Sequence, residues 1–287
     1  MARAIATINL KGGVGKSTTT VALAEFMAAE FGQRVLVIDL DPQTNLTTMM
    51  IGERRWQELN DEGLTLATLF RNAVDRDPAL PQFDMSKTVQ RGVSSVKAVH
   101  SVDLLPSSLD LMEVQEALSY VQFNDPYSNA PVEILRNAVA EIADFYDYIL
   151  IDCPPNLGII TLNGLMLADG YIIPTIPDVL STYGIPQIQQ RVQKFATRTG
   201  HRIKEIGLVV TKYRSNSTLH RATIERLQRD ETIANVMPCW VPESNQIAAS
   251  AEFVGYGTLK MKYGGQGQFD ALRMVAEDVL MNSKVYL

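Results

Sequence analysis

Three short stretches of the chain concentrate residues able to handle phosphate and a divalent cation. The first is NLKGGVGKST at positions 9–18. Gly15, Lys16 and Ser17 fit the second half of the phosphate-loop pattern G-x-x-x-x-G-K-[ST], but the first glycine of that pattern would fall on Leu10. Lys11 and the pair Gly12-Gly13 follow instead, so the loop carries a second lysine that the pattern does not require. The other two stretches are IDLDPQTN at 38–45 and YILIDCPPN at 148–156. Each runs apolar residues into acid: Asp39 and Asp41 in one, Asp152 in the other.

In a loop between strand and helix, successive backbone N–H groups converge on phosphate oxygens and the helix dipole adds to their field. Gly12, Gly13 and Gly15 permit the close approach, and Val14 and Thr18 complete the run of residues expected around the phosphates. Lys16 would neutralise the β- and γ-phosphates, and the Ser17 hydroxyl would ligate Mg²⁺. An apolar strand ending in Asp152 is the arrangement that holds Mg²⁺, commonly through a water. Asp39 has two readings: a carboxylate at the ligand-binding edge of a parallel sheet, or a helix N-cap. A nucleotide–Mg²⁺ site accounts for the three stretches together.

The base can be read separately. Guanine-specific switches recognise their base with an N-K-x-D loop after a strand. Here the apolar run IGLVV leads into Thr211, Lys212, Tyr213 and Arg214. Arg214 in place of the acid removes the acceptor for guanine, which favours adenine. Thr211 and Lys212, with Pro242, Glu243 and Asn245, are expected to line the base pocket.

Holding these residues requires strands that end together. Short Val/Ile/Leu runs recur at 5–9, 35–40, 102–106, 148–152, 171–176 and 206–211. Their continuous apolar character predicts strands buried on both faces, hence an α/β fold with a mostly parallel twisted sheet flanked by helices. After the first loop, Val21, Ala24, Met27 and Ala28 share one helical face. FDALRMVAEDVLMN at 269–282 carries Phe269, Leu272, Val275 and Val279 as an apolar stripe, with largely acidic polar residues, and is expected to pack onto the domain. The polar stretch 50–100 reads as an irregular surface elaboration on a single domain covering 1–287.

Composition narrows the classes further. Apolar residues make up 46% of the 287, enough for a sizeable core. Cys153 and Cys239 are too few for a disulfide framework and have no metal-ligand spacing, which fits reduced thiols and a cytoplasmic location. No signal-peptide pattern and no long apolar run is present. The net charge of −6 conceals a basic block: residues 191–230 hold ten Lys and Arg against three Asp and Glu. Arg191, Lys194, Arg198, Arg214, Arg221 and Arg226 belong to it. It reads either as a footprint for nucleic-acid phosphates or as a solvated helical surface.

KGGVGKST, DLDPQTN and LIDCPPNLG, in this order, resemble the deviant Walker A ATPases of the ParA/MinD family, of P-loop NTPase fold. LLPSSLDL at 104–111 and WVPESNQIAASAEFVGYG at 240–257 extend the likeness over essentially the whole chain. The resemblance implies slow hydrolysis of ATP with Mg²⁺ in a nucleotide-sandwich homodimer. Lys11 would be the signature lysine that reaches the partner subunit's phosphates, Asp41 would position the attacking water, and Asp39 would support the Mg²⁺ site. It further implies nonspecific double-stranded DNA binding, a nucleoid-associated location and a ParB-like or adaptor protein that stimulates hydrolysis. The cargo would be a plasmid, a chromosome origin or a protein body such as a carboxysome. The acidic last helix disfavours the membrane-binding branch, and a metabolic ATP-dependent enzyme of the same fold is the remaining alternative. Asn216 and Gln246 stand where DNA-binding members commonly carry arginines. The first strand begins at once, so no N-terminal helix-turn-helix is expected.

Overall fold

The computed structural model describes residues 2–75, 77–124, 130–233 and 235–287. Six strands form one all-parallel sheet: β1 Arg3–Thr7, β2 Val35–Asp39, β3 Val102–Leu105, β4 Tyr148–Asp152, β5 Gly170–Thr175 and β6 Lys204–Val210. Their spatial order is β3-β2-β4-β1-β5-β6. Each strand overlaps one of the apolar runs, with β1 and β6 starting two residues earlier. β2 and β4 are buried at every position, because helices cover both faces of the sheet and neither needs a polar side.

The alternation of side chains sorts the core into two layers. One face of the sheet presents Ala4, Ala6, Leu36, Ile38, Ile149, Ile151 and Ile173. It packs against α3 (Leu66–Val74), α5 (Leu111–Asn124), α6 (Ala130–Val139), α7 (Ile159–Leu167) and α9 (Ile185–Thr199). The other face presents Ile5, Val35, Val37, Leu150, Ile172 and Val209 to α1 (Lys16–Phe31), α2 (Asn45–Asp61) and α13 (Gln268–Tyr286). Short helices α4 (Met85–Thr88), α8 (Val179–Thr182), α11 (Asn245–Ala249) and α12 (Leu259–Tyr263) and the longer α10 (Thr218–Arg229) complete the chain.

The expected face of α1 is buried, yet so are Ala22, Leu23, Glu25 and Phe26. The helix lies on the sheet and is itself covered by α2 and α13, so it is enclosed nearly all round. In α13, Leu272, Val275 and Val279 are buried as the stripe required, and the Phe269 ring lies 5.1 Å from that of Phe26. Burying each such side chain contributes about 1.5–3 kcal/mol.

The stretch 50–100 differs from its reading. Helices take up about half of it, the end of α2 and all of α3 and α4, and it places Leu59, Leu66 and Phe70 in the core with no exposure. Leu66, Ala67 and Phe70 lie at helical spacing, and that periodicity was masked by the polar composition around it. α2 itself is kinked at Gly52 (φ 78°), where the Phe253 ring fills the space a side chain would take.

Candidate phosphate and cation site

β1 lies between β4 and β5, and the chain leaves β1 and β4 toward opposite sides, so a crevice opens at their carboxyl ends. Strand register brings the expected groups there: Thr7 pairs with Asp152, and Asp152 with Asp39. The loop after β1 enters α1 through Gly13 and Gly15, with φ of 74° and 87°, a region open to glycine without steric cost. The Asn9 side chain donates to the Pro174 carbonyl at 2.7 Å and accepts from the Lys11 N–H, fastening the start of the loop to β5.

A cavity of about 910 Å³ extends from this loop. Gly12, Gly13, Gly15, Lys16, Ser17, Thr18 and Asp41 line it, together with Thr211, Lys212, Pro242, Glu243 and Asn245. Val14 is fully buried behind the loop. Asn45, Thr48 and Met49 from α2 and Ile247 and Ala248 from α11 also line it. None of the five was assigned to the site from sequence: Asn45, Ile247 and Ala248 lie within the quoted motifs IDLDPQTN and WVPESNQIAASAEFVGYG, and Thr48 and Met49 just beyond the first of them.

Asp39 and Asp152 are both fully buried. One Asp39 oxygen accepts from the Asp41 N–H, and the other accepts from the Thr47 N–H at 2.9 Å and the Thr47 hydroxyl at 2.7 Å. It therefore ties the strand end to the first turn of α2, which is the capping alternative in a long-range form. Burial pushes its pKa up to about 7 against those hydrogen bonds. Asp152 has neither carboxylate oxygen hydrogen-bonded. Burial first, and repulsion from Asp39 second, raise its pKa well above the carboxylate range, while the Ser17 hydroxyl and the Lys16 ammonium pull the other way. With only Lys16 and Ser17 to offset its burial, the Asp152 carboxylate favours a further cation. Ser17 and Asp152 fit Mg²⁺, a cation that takes one or two protein oxygens and completes its shell with water and phosphate. Among the described residues no cluster of three or more His, Cys, Asp or Glu offers an all-protein metal site.

Asp41 is nearly buried and accepts from the Gln43 N–H at 3.0 Å. Its turn is braced by LLPSSLDL: the Ser107 hydroxyl donates to the Asp41 carbonyl at 2.7 Å, and the Ser107 N–H to the Thr47 hydroxyl. Thr44, next in the turn, has φ 57°. Such strain in a non-glycine residue is typical of a site held by its surroundings.

Lys16 is buried, with its ammonium 3.5 Å from the Lys11 carbonyl. Lys11 behaves differently and does not line the cavity. Its ammonium donates to the Ser181 hydroxyl at 2.9 Å and lies 3.5 Å from Asp178, the residue that caps α8. Burial works against the charge on Asp178, but the Ser181 N–H, the Ser181 hydroxyl and Lys11 hold its pKa below the usual value.

Arg214 and Glu243, assigned separately from sequence to DNA and to the base pocket, are paired with each other. The pairing follows from a bridge between Tyr213 and Pro242 that sets the two segments side by side. Arg191, Lys194 and Arg198 project from the exposed face of α9, opposite buried Ile188, Val192 and Phe195. Arg221 and Arg226 lie on α10, and the Arg226 guanidinium donates to the Thr182 hydroxyl. Asn216 is exposed, and the Gln246 amide donates to the carbonyls of Met261 and Lys262. No described helix is long and apolar enough to cross a membrane.

The AAA_31 family profile, described as an AAA domain, matches residues 2–205. The chain is 29% identical over 229 residues to the chromosome-partitioning ATPase Soj of Treponema pallidum, covering 79% of this chain and 78% of that protein. Its fold matches cobyrinic acid a,c-diamide synthase from Mycobacterium smegmatis, solved with an ATP analogue and magnesium. That match has a TM-score of 0.74 at 26% identity and covers 98% and 94% of the two chains. A plasmid partition protein of Borrelia burgdorferi bound to AMPPNP shares the fold at TM-score 0.70 and 21% identity over 100% of both chains. With the profile covering most of its length and these relatives beside the phosphate loop and strand-end acids, the chain belongs to the ParA/MinD family of P-loop ATPases.

Proposed function

We propose that the protein is a partition-type ATPase that closes into an ATP-bound homodimer, binds DNA nonspecifically in that state and is released when a partner protein stimulates hydrolysis. Backbone N–H groups of the 12–18 loop and Lys16 bind the phosphates. Ser17 and Asp152 would hold Mg²⁺, which would supply charge neutralisation for the phosphates. Asp39 fixes the turn that presents Asp41, and Asp41 orients the attacking water. Soj of T. pallidum bears the name of a chromosome-partitioning ATPase, which supports the partition reading. The M. smegmatis synthase, solved with an ATP analogue and magnesium, supports the ligand pair.

The observation that carries the dimer is the Lys11 ammonium, which is directed to Ser181 and Asp178 rather than into its own cavity. A cation held outside its own phosphate site would have to leave Ser181 and Asp178 to meet a second subunit's nucleotide, where it would stabilise charge as an arginine finger does. Sedimentation with ATP tests this. Asp41→Ala should accumulate as an ATP-bound dimer, and Lys11→Ala should bind ATP as a monomer without hydrolysing it. Normal turnover by Lys11→Ala would end the proposal. The likeness to the synthase favours one second reading, an ATP-dependent amide-forming enzyme. ATP-dependent retention of DNA separates the two.

A further inference from the structure

β6 runs out at Val210, and the four residues after it face two ways. Thr211, almost fully buried, donates its hydroxyl to the Val14 carbonyl at 2.8 Å. The Lys212 ammonium donates to the Gly13 carbonyl, also at 2.8 Å. Both contacts join parts of the chain nearly two hundred residues apart. Tyr213 and Arg214 turn to the other side. The Tyr213 N–H donates to the Val241 carbonyl, the Tyr213 ring lies 4.7 Å from that of Trp240, and Arg214 pairs with Glu243. Lys212 adopts φ 49°, and among the described residues only Thr44 shares a positive φ without being glycine. A backbone conformation unfavourable for lysine is kept where the side chain makes a specific contact.

We infer that Lys212 is a positioning residue: with Thr211 it clamps two successive peptides of the phosphate loop and sets the direction of their N–H groups. In a trans peptide the carbonyl and the following N–H point opposite ways. Holding the Gly13 carbonyl toward Lys212 turns the Val14 N–H away from it. Holding the Val14 carbonyl toward Thr211 does the same for the Gly15 N–H. Gly13 and Gly15, like Gly12, have no Cβ to restrict the backbone, so peptides beside them have much to lose from rotating freely. The clamp presets two donors before any anion arrives. It also makes the phosphate loop and the 240–243 wall one unit, because both are fastened to the same four residues.

The inference rests on the phosphate reading of the loop, and the two can fail separately. The probe is Mg²⁺-tripolyphosphate, which has no base, alongside Mg²⁺-ATP, titrated calorimetrically. Wild-type binding of the probe, abolished in Lys16→Ala, tests the loop itself. Lys212→Gly removes the ammonium and suits the local φ, so the melting temperature should hold. Its affinity for tripolyphosphate and for ATP should fall by the same factor, about tenfold, equivalent to ~1.4 kcal/mol. Lys212→Arg, which keeps a cationic donor, should restore most of it. Tripolyphosphate affinity equal to wild type in Lys212→Gly would overturn the clamp. A loss confined to ATP would also overturn it, by making Lys212 a base contact.

Discussion

Asp152 and Asp39 stand side by side on neighbouring strands, both without solvent, and only one of them has hydrogen-bond partners. Two such carboxylates cannot both ionise freely, and this gives the nucleotide-free protein a definite response to pH. Asp39 is raised to about 7 when folded and returns to the ordinary carboxylate value, about 3.9, when unfolded. Between those values the native state holds a proton that the unfolded chain has lost. Stability therefore falls as pH rises from about 4 through about 7. Surface acids held low by partners, such as Asp147 beside Arg34, act in the opposite sense only at lower pH. Melting temperatures without nucleotide should be higher at pH 5.5 than at pH 8, and a flat or opposite profile would contradict the burial argument. On the proposed reading Asp152 holds the cation in its ionised form, and burial raises its pKa, so Mg²⁺-ATP affinity should weaken as pH drops. Asp152→Asn should make ATP affinity the same with magnesium as with EDTA; a persisting magnesium effect would remove Asp152 from the cation site.

Elements meet through contacts that no motif announces. Glu25 looks like a surface residue of α1, yet it is fully buried. Its carboxylate accepts from the Lys262 ammonium at 2.8 Å, the Tyr263 hydroxyl at 2.6 Å and the Ser94 hydroxyl at 2.7 Å. The network pins α12 to the helix that begins at the phosphate loop. Lys262→Met should cost roughly 3–5 kcal/mol in urea unfolding, because it strands a buried carboxylate, and Glu25→Gln should be costly for the same reason. The double variant should lose much less than their sum, and additive losses would show that the pair is not coupled. Sequence could not reveal this network, since Glu25 and Lys262 are 237 residues apart and charged residues default to the surface. The strands were legible because a doubly covered sheet demands unbroken apolar runs. The phosphate loop, Asp39, Asp41 and Asp152 were legible because strand ends place them by topology alone. Residues 50–100 were misread because the apolar face of α3 is short and flanked by polar turns. The pairing of Arg214 with Glu243 and the bracing of Asp41 by Ser107 depend on loop geometry, which composition does not encode.

At the scale of the molecule, charge is divided: the basic block lies on α9, β6, α10 and the segments joining them, while the chain as a whole carries −6. On the proposed DNA-binding reading, such a surface would bind phosphates through counterion release, with an affinity that depends steeply on salt and little on sequence. Arg191 and Lys194 share one exposed helical face, whereas Arg214 and Arg226 are engaged with Glu243 and Thr182. Charge reversal of Arg191 with Lys194 should therefore weaken DNA retention and flatten its salt dependence more than reversal of Arg214. The most direct test of the whole account is binding to double-stranded DNA of arbitrary sequence with ATP, with ADP and without nucleotide across a salt series. The account predicts binding in ATP alone, falling steeply with salt. Equal binding in all three states, or none at low salt, would contradict it.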